Sequence, residues 1–223
     1  MSEFEEMTRA EQIILLEEFA QDVLVQYGMT GAEFEFVNHS YNTTFASKGE
    51  DNMKCAIRIG STSRKWPEHT WAEVQWLLEL SREGSTTAPV PILNLQGEPF
   101  SNHYFFYQGG NLDVLIYPWL EGDVVGQNPS DVQLFELGSA MATMHLLGKN
   151  WKPEGYANFL AIDKPLMVKQ GNLFTYGLEE ISPTEYGVLR EINQRTEKLF
   201  DSLCQRCVPP LIHADLHSRN IIW

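Results

Sequence analysis

One spacing near the end of the chain constrains this sequence more than any other. Asp215 is followed five positions later by Asn220, and the pair lies between the apolar runs Leu211–Ile212 and Ile221–Ile222, which read as short strands. In phosphoryl transfer an Asp so placed accepts or orients the proton of an attacking hydroxyl, and the Asn holds a divalent cation against phosphates. A rival reading takes His213, Asp215 and His217 as metal ligands, because alternate positions on a strand face one side and imidazole and carboxylate suit zinc. That reading leaves Asn220 and the upstream pattern unexplained. His213 by itself reads as a packing residue that caps a turn.

Upstream, Met53 to Ile59 reads as an alternating strand ending in the basic Arg58. Taken singly, Arg58 would be a solvent-facing strand residue. The next element is a helix from about Pro67 to Arg82, punctuated by Pro67 at its first position and Gly84 after its end. Trp71, Val74, Leu77 and Leu78 recur at helical spacing and predict its buried face, with Glu73 beside them. Most helical Glu residues are solvated, so Glu73 gains meaning only from its place fifteen residues after Arg58. Trp66, Trp71 and Trp76 read as packing residues.

Glu33 to Val37 and Thr43 to Ser47 predict two strands joined through Asn38–Asn42. His103 to Tyr107 and Leu112 to Tyr117 predict a hairpin around Gln108–Asn111, and its second strand runs into Pro118-Trp119-Leu120-Glu121-Gly122. Three helices open on a hydroxyl residue followed three positions later by Glu or Gln, at Thr8/Glu11, Ser130/Gln133 and Ser182/Glu185. The second runs to about Leu147 and stops at Gly148, with His145 as a core histidine. Residues 149–181 have weak periodicity, and such stretches in compact domains usually serve binding or catalysis.

Aligned on His-Arg-Asp-Leu-x-x-x-Asn, the terminal loop supplies His213, Ala214, Asp215, Leu216 and Asn220. On these residues and the ordered elements before them, the chain from about Glu33 to Trp223 resembles the aminoglycoside phosphotransferase, choline kinase and homoserine kinase superfamily. The resemblance implies an α+β, protein-kinase-like two-lobe fold. Residues 1–120 would be an antiparallel-sheet nucleotide-binding lobe with a leading helix, and 121–223 a mainly helical, incomplete C-terminal lobe. It implies ATP and Mg2+ as cofactors, Asp215 as the catalytic residue and Asn220 as a metal ligand. Arg58 would take the place of the phosphate-binding Lys, with Glu73 as its holder. Ser40 and Asn42 would contact the nucleotide from a loop that has no glycine, and Tyr117 and Trp119 would flank the adenine at the hinge. Ala214 in place of Arg points to a small-molecule kinase, with a protein Ser/Thr acceptor ranked second.

In the superfamily a further hairpin strand carries the principal metal-binding Asp, which would fall beyond Trp223, as would helices covering the second lobe. The chain therefore reads as an incomplete copy of an active kinase. The alternative is a noncatalytic, pseudokinase-like module that binds nucleotide or a protein partner. Apolar faces of the helices near 131–147 and 183–206 are then expected to be exposed.

With 30 acidic and 16 basic residues the net charge is −14, which argues against nucleic acid or an anionic membrane as partner. It suits a hydroxylated acceptor that is cationic, though acidity also serves solubility. A 43% hydrophobic content supports a real core. No run reaches transmembrane length, the acidic start does not read as a signal peptide, and three cysteines suit a reducing cytoplasm. Cys204 and Cys207 form an isolated Cys-x-x-Cys read as ordinary thiols.

Overall fold

Strand β5 (Gly110–Pro118) is buried without interruption from Leu112 to Tyr117, as a strand must be when layers pack on both of its faces. The computed structural model describes residues 3–31, 33–48, 53–61, 67–84, 88–159, 167–168, 171–172, 181–206, 211 and 220–223. In it β5 lies within a five-stranded antiparallel sheet ordered β1-β2-β3-β5-β4. The other strands are β1 (Glu33–His39), β2 (Thr43–Lys48), β3 (Lys54–Ile59) and β4 (Ser101–Phe105).

Successive side chains leave a strand on opposite faces, and the two faces carry different layers. Cys55, Ile57 and Ile59 of β3 and Leu112, Val114 and Ile116 of β5 join one core with Phe4 of α1 (Glu3–Glu6) and Leu16, Ala20, Val23 and Leu24 of α2 (Arg9–Leu24). Leu115 and Tyr117 face the other way, where Val74 of α3 (Pro67–Glu83) packs on them beside Trp71, Leu77 and Phe100. Leu78, expected in that face, is instead 46% exposed, one turn beyond Val74, while Thr70, Ala72 and Leu80 are buried. The hairpin is shifted as well: β4 ends at Phe105, a 3-10 turn spans Phe106–Gln108, and Gly109 at φ 65° supplies the left-handed residue before β5.

The caps form where the local pattern places them. The Thr8 amide donates to Glu11 Oε2 at 2.8 Å and the Glu11 amide to Thr8 Oγ1 at 3.4 Å. These hydrogen bonds from Thr8 hold the Glu11 carboxyl below the usual carboxylate range. Ser130 with Gln133 and Ser182 with Glu185 repeat the arrangement at α4 (Asp131–Gly148) and α5 (Pro183–Arg206).

A directed polar chain ties α2 to the sheet. Gln12 Nε2 donates to the Phe4 carbonyl at 2.7 Å, which leaves its Oε1 facing His39 Nε2 at 3.0 Å. His39 Nε2 must then donate, and its Nδ1 accepts from Thr43 Oγ1 at 2.7 Å. Thr43 Oγ1 in turn meets Ser61 Oγ at 2.7 Å in the interior. Burial first, and the Arg9 charge second, push the His39 pKa below its ordinary value. A depressed histidine contributes stability in full above the unfolded pKa of about 6.5 and loses it as pH falls toward the folded value. Between about pH 7 and about pH 5 the wild-type Tm is therefore expected to fall more steeply than that of His39→Gln. Parallel profiles for the two proteins would refute the assignment; His103, also depressed by burial, contributes to both.

The chain divides into two compact units, one of residues 1–146, 152–159 and 213–223, the other of 147–151 and 160–212. The first holds the sheet, α1 to α3 and most of α4. The second holds α5 and the antiparallel pair β6 (Met167–Val168) and β7 (Gly171–Asn172). Val132, Leu134, Phe135 and Leu146 of α4 are exposed, as are Val188, Ile192, Leu199 and Leu203 of α5. Among the described residues no helix is long and apolar enough to cross a membrane.

Candidate active site

The polar groups of interest lie on the α3-facing side of the sheet. Arg58 of β3 stands opposite Leu115 of β5 in the ladder, so its side chain leaves on the same face as Leu115 and Tyr117. There Arg58 Nη1 meets Glu73 Oε1 of α3 at 2.6 Å, with 21% and 22% of the two side chains exposed. The guanidinium lies 5.5 Å from the centre of the Tyr117 ring, and the Tyr117 hydroxyl donates to Glu73 Oε1 at 3.4 Å. Burial works against the Arg58 charge more than any other single influence. Tyr117, Glu73 and Asp113 together outweigh it and hold the pKa above the ordinary guanidinium range. Burial likewise pushes the Tyr117 phenol above its ordinary range, with Arg58 pulling it back and Glu73 adding to the rise. The structure thus brings Arg58, Glu73 and Tyr117 together as a fixed cation with a carboxylate and a ring behind it.

Glu73 is placed by α3, and α3 is clasped on its exposed side by residues 154–158. Gln75 Oε1 accepts from the Glu154 amide at 2.7 Å and Gln75 Nε2 donates to the Glu154 carbonyl at 3.2 Å. The Asn158 amide donates to the Glu68 carbonyl at 3.0 Å, and His69 Nδ1 lies 2.6 Å from the Asn158 carbonyl. Sequence reasoning missed this strap, since the contacts join segments some eighty residues apart.

Ser40 and Asn42 sit in a tight turn between β1 and β2. The Ser40 amide donates to the Asn42 carbonyl at 3.0 Å and Asn38 Nδ2 donates to Ser40 Oγ at 3.2 Å. Trp119 follows β5: its amide donates to the Lys54 carbonyl at 3.1 Å, and the Lys54 ammonium lies 3.9 Å from the centre of the Trp119 ring.

The terminal segment is joined to the stretch after that strand. Val124 pairs with Ile222 in an antiparallel bridge; the Asp123 amide donates to the Trp223 carbonyl at 3.1 Å, the Trp223 amide to Asp123 at 2.9 Å, and the Val125 amide to Ile221 at 2.9 Å. Asn220 thus immediately precedes a ribbon anchored to residues 123–125. Asp215, His213 and His217 lie outside the described residues. Gly122 has φ 135°, and a Cβ there would lie 2.7 Å from both Ile222 Cγ2 and the Trp223 carbonyl oxygen. Gly122→Ala should therefore part the ribbon, cost about 1–3 kcal/mol, and remove hydrogen-exchange protection at the Val125 amide. Unchanged stability and protection would show that the ribbon tolerates a side chain.

Among the described residues no group of three or more His, Cys, Asp or Glu could hold a metal. Asn220 offers one neutral amide oxygen, whereas a hard divalent cation takes six or more oxygens. The described residues do not make a metal site by themselves.

The model of the phosphotransferase enzyme family matches residues 34–223. An amicoumacin kinase of Bacillus subtilis (strain 168) is 25% identical over 220 residues, covering 93% of this chain. The chain spans 59% of that relative's length. Among solved structures, an amicoumacin kinase in complex with AMP-PNP, Ca2+ and Ami matches with a TM-score of 0.69 and 20% identity, covering 95% of this chain and 62% of that one. A microcompartment-associated aminopropanol kinase matches with a TM-score of 0.53 and 18% identity over 64% of this chain and 44% of that one. The structural matches give the fold, an α+β kinase-like architecture; in this chain the Arg58–Glu73 pair joins its sheet to α3. Since the family match runs from β1 through the terminal ribbon, the chain belongs to the phosphotransferase enzyme family.

Proposed function

We propose that this protein is an ATP-dependent phosphotransferase that moves the γ-phosphoryl group to a hydroxyl of a small molecule. The observation that carries this reading is the Arg58–Glu73 ion pair at 2.6 Å on the α3-facing side of the sheet. A guanidinium that stays charged, is oriented from behind by a carboxylate and keeps a fifth of its surface open is suited to bind phosphate oxygens bidentately.

In this reading residues 1–120 form the nucleotide-binding lobe, and 121–223 contribute part of the lobe that carries Asp215. Ser40 and Asn42 would cover the phosphates, and Tyr117 and Trp119 would border the adenine. Asn220 would be one oxygen ligand of Mg2+, with the phosphates supplying others. The acceptor oxygen forms a bond to the γ-phosphorus as the bond to the bridging oxygen breaks, giving ADP. Asp215 takes the hydroxyl proton, and the setting is cytoplasmic. The relatives' names include an aminopropanol kinase, and a net charge of −14 favours a cationic acceptor. We therefore place small hydroxylated amines first among substrates.

The test is to incubate the full-length protein with ATP and a panel of amino alcohols and aminoglycosides, following ADP and the acceptor's mass. Acceptor-dependent ADP release with a phosphorylated product is expected. AMP-PNP binding without transfer to any of these hydroxyls would favour a nucleotide- or partner-binding module instead.

A further inference from the structure

The α3-facing side of the sheet holds a second polar contact that the proposed chemistry leaves unused. Asp113 is the one charged residue in the run Leu112–Tyr117 and is 6% exposed. One of its carboxylate oxygens accepts from the Thr70 hydroxyl, the other from Asn102 Nδ2 at 2.6 Å. Asn102 Oδ1 accepts in turn from Asn111 Nδ2 at 2.6 Å, and the Asp113 carbonyl accepts from the Gly60 amide at 3.0 Å. A buried carboxylate carries a desolvation cost that an apolar side chain of similar size would avoid. Its presence here asks for a task that an apolar side chain cannot perform.

Geometry supplies the task. Thr70 is fully buried and precedes Glu73 by three residues, so one turn of α3 puts both on the same side. Asp113 and Tyr117 lie four apart on β5 and share a face. Thr70 to Asp113 and Glu73 to Arg58 and Tyr117 are therefore successive rungs between one helix and one sheet. Between them lies Val74 on Leu115 and Tyr117, an apolar contact that has no direction of its own and permits the helix to slide or roll. A hydroxyl on a short, χ1-restricted side chain, bonded to a carboxylate that Asn102 also fixes, does not permit it.

We propose that Thr70 and Asp113 are positioning residues that set the register of α3 on the sheet, so that Glu73 presents Arg58 to phosphate. The phosphate part of this inference rests on the function proposed above. The decisive variant is Thr70→Val, which keeps the shape and removes the donor, with Thr70→Ser as the conservative control. In the whole protein, Thr70→Val should weaken AMP-PNP binding about tenfold while adenosine, which has no phosphates, binds within about twofold of wild type. Thr70→Ser should restore AMP-PNP affinity. A crystal structure of Thr70→Val should show Glu73 withdrawn from Arg58. Unchanged AMP-PNP affinity, or equal losses for AMP-PNP and adenosine, would overturn the proposal, as would an intact Arg58–Glu73 pair in the variant. If wild type binds adenosine and AMP-PNP equally, the phosphate role of Arg58 fails, and the position of Glu73 in Thr70→Val still decides whether the rung sets the helix.

Discussion

Replacing Asp215 with Ala in the full-length protein is expected to lower acceptor-dependent phosphoryl transfer by about 10²- to 10⁴-fold, the range of a positioned general base, while AMP-PNP affinity stays within about twofold. The split follows from when the interaction is made. The acceptor's proton is shared with Asp215 only as the new bond to phosphorus forms, so removing the carboxylate raises the barrier without loosening the bound nucleotide. Nucleotide affinity depends instead on the phosphate cation and the adenine surroundings, at Arg58, Tyr117 and Trp119 in the proposed site. Asp215→Asn keeps the volume and loses the proton acceptor, so it should resemble Asp215→Ala in rate. Turnover near wild type in either variant would remove Asp215 from the mechanism. Loss of nucleotide affinity in parallel with rate would point to a misfolded loop, which an unchanged Tm would exclude.

How much of this site can be read before folding depends on the length scale of each interaction. The capping boxes at Thr8, Ser130 and Ser182 are legible because both partners lie within one helical turn. β2, β3 and α3 are legible because their periodicities differ and Gly and Pro punctuate them. The pairing of Arg58 with Glu73 joins a strand to the next helix, and no local rule specifies it; only the likeness of the ordered elements to a known family suggested the partner.

The remaining contacts depend on register. Asp113 could be recognised as a charge inside an apolar strand, but that it meets Thr70, forty-three positions earlier, follows from which face of β5 receives α3. Leu78 fits the helical repeat and is exposed, because periodicity describes a helix face and says nothing of where the covering layer stops. The bridge from Val124 to Ile222 and the strap from Glu154 and Asn158 to α3 are likewise tertiary. Gly122 could be read as a turn residue, yet its need to lack a Cβ comes from Ile222 and Trp223 pressing on it.

Arg58→Met separates the electrostatic and structural roles of the ion pair, because methionine retains much of the aliphatic stem and removes the guanidinium. Two effects are expected. AMP-PNP affinity should fall by about 1.5–3 kcal/mol, the scale of hydrogen bonds to a charged group, with adenosine affinity little changed. Stability should fall by about 1–3 kcal/mol because Glu73 is left without its cation beside Tyr117; this is less than the 3–5 kcal/mol of a fully buried pair, since about a fifth of each side chain still meets water. The second effect depends on the stranded carboxylate and should be reversible. Adding Glu73→Gln to Arg58→Met removes the unpaired charge and should recover much of the lost stability without recovering any phosphate-dependent affinity. That non-additivity is the signature of a cation held for a ligand by a carboxylate held for the cation. If the double variant regained AMP-PNP affinity together with its Tm, Arg58 would be a structural residue, and the phosphate clamp would have to be sought elsewhere on the sheet.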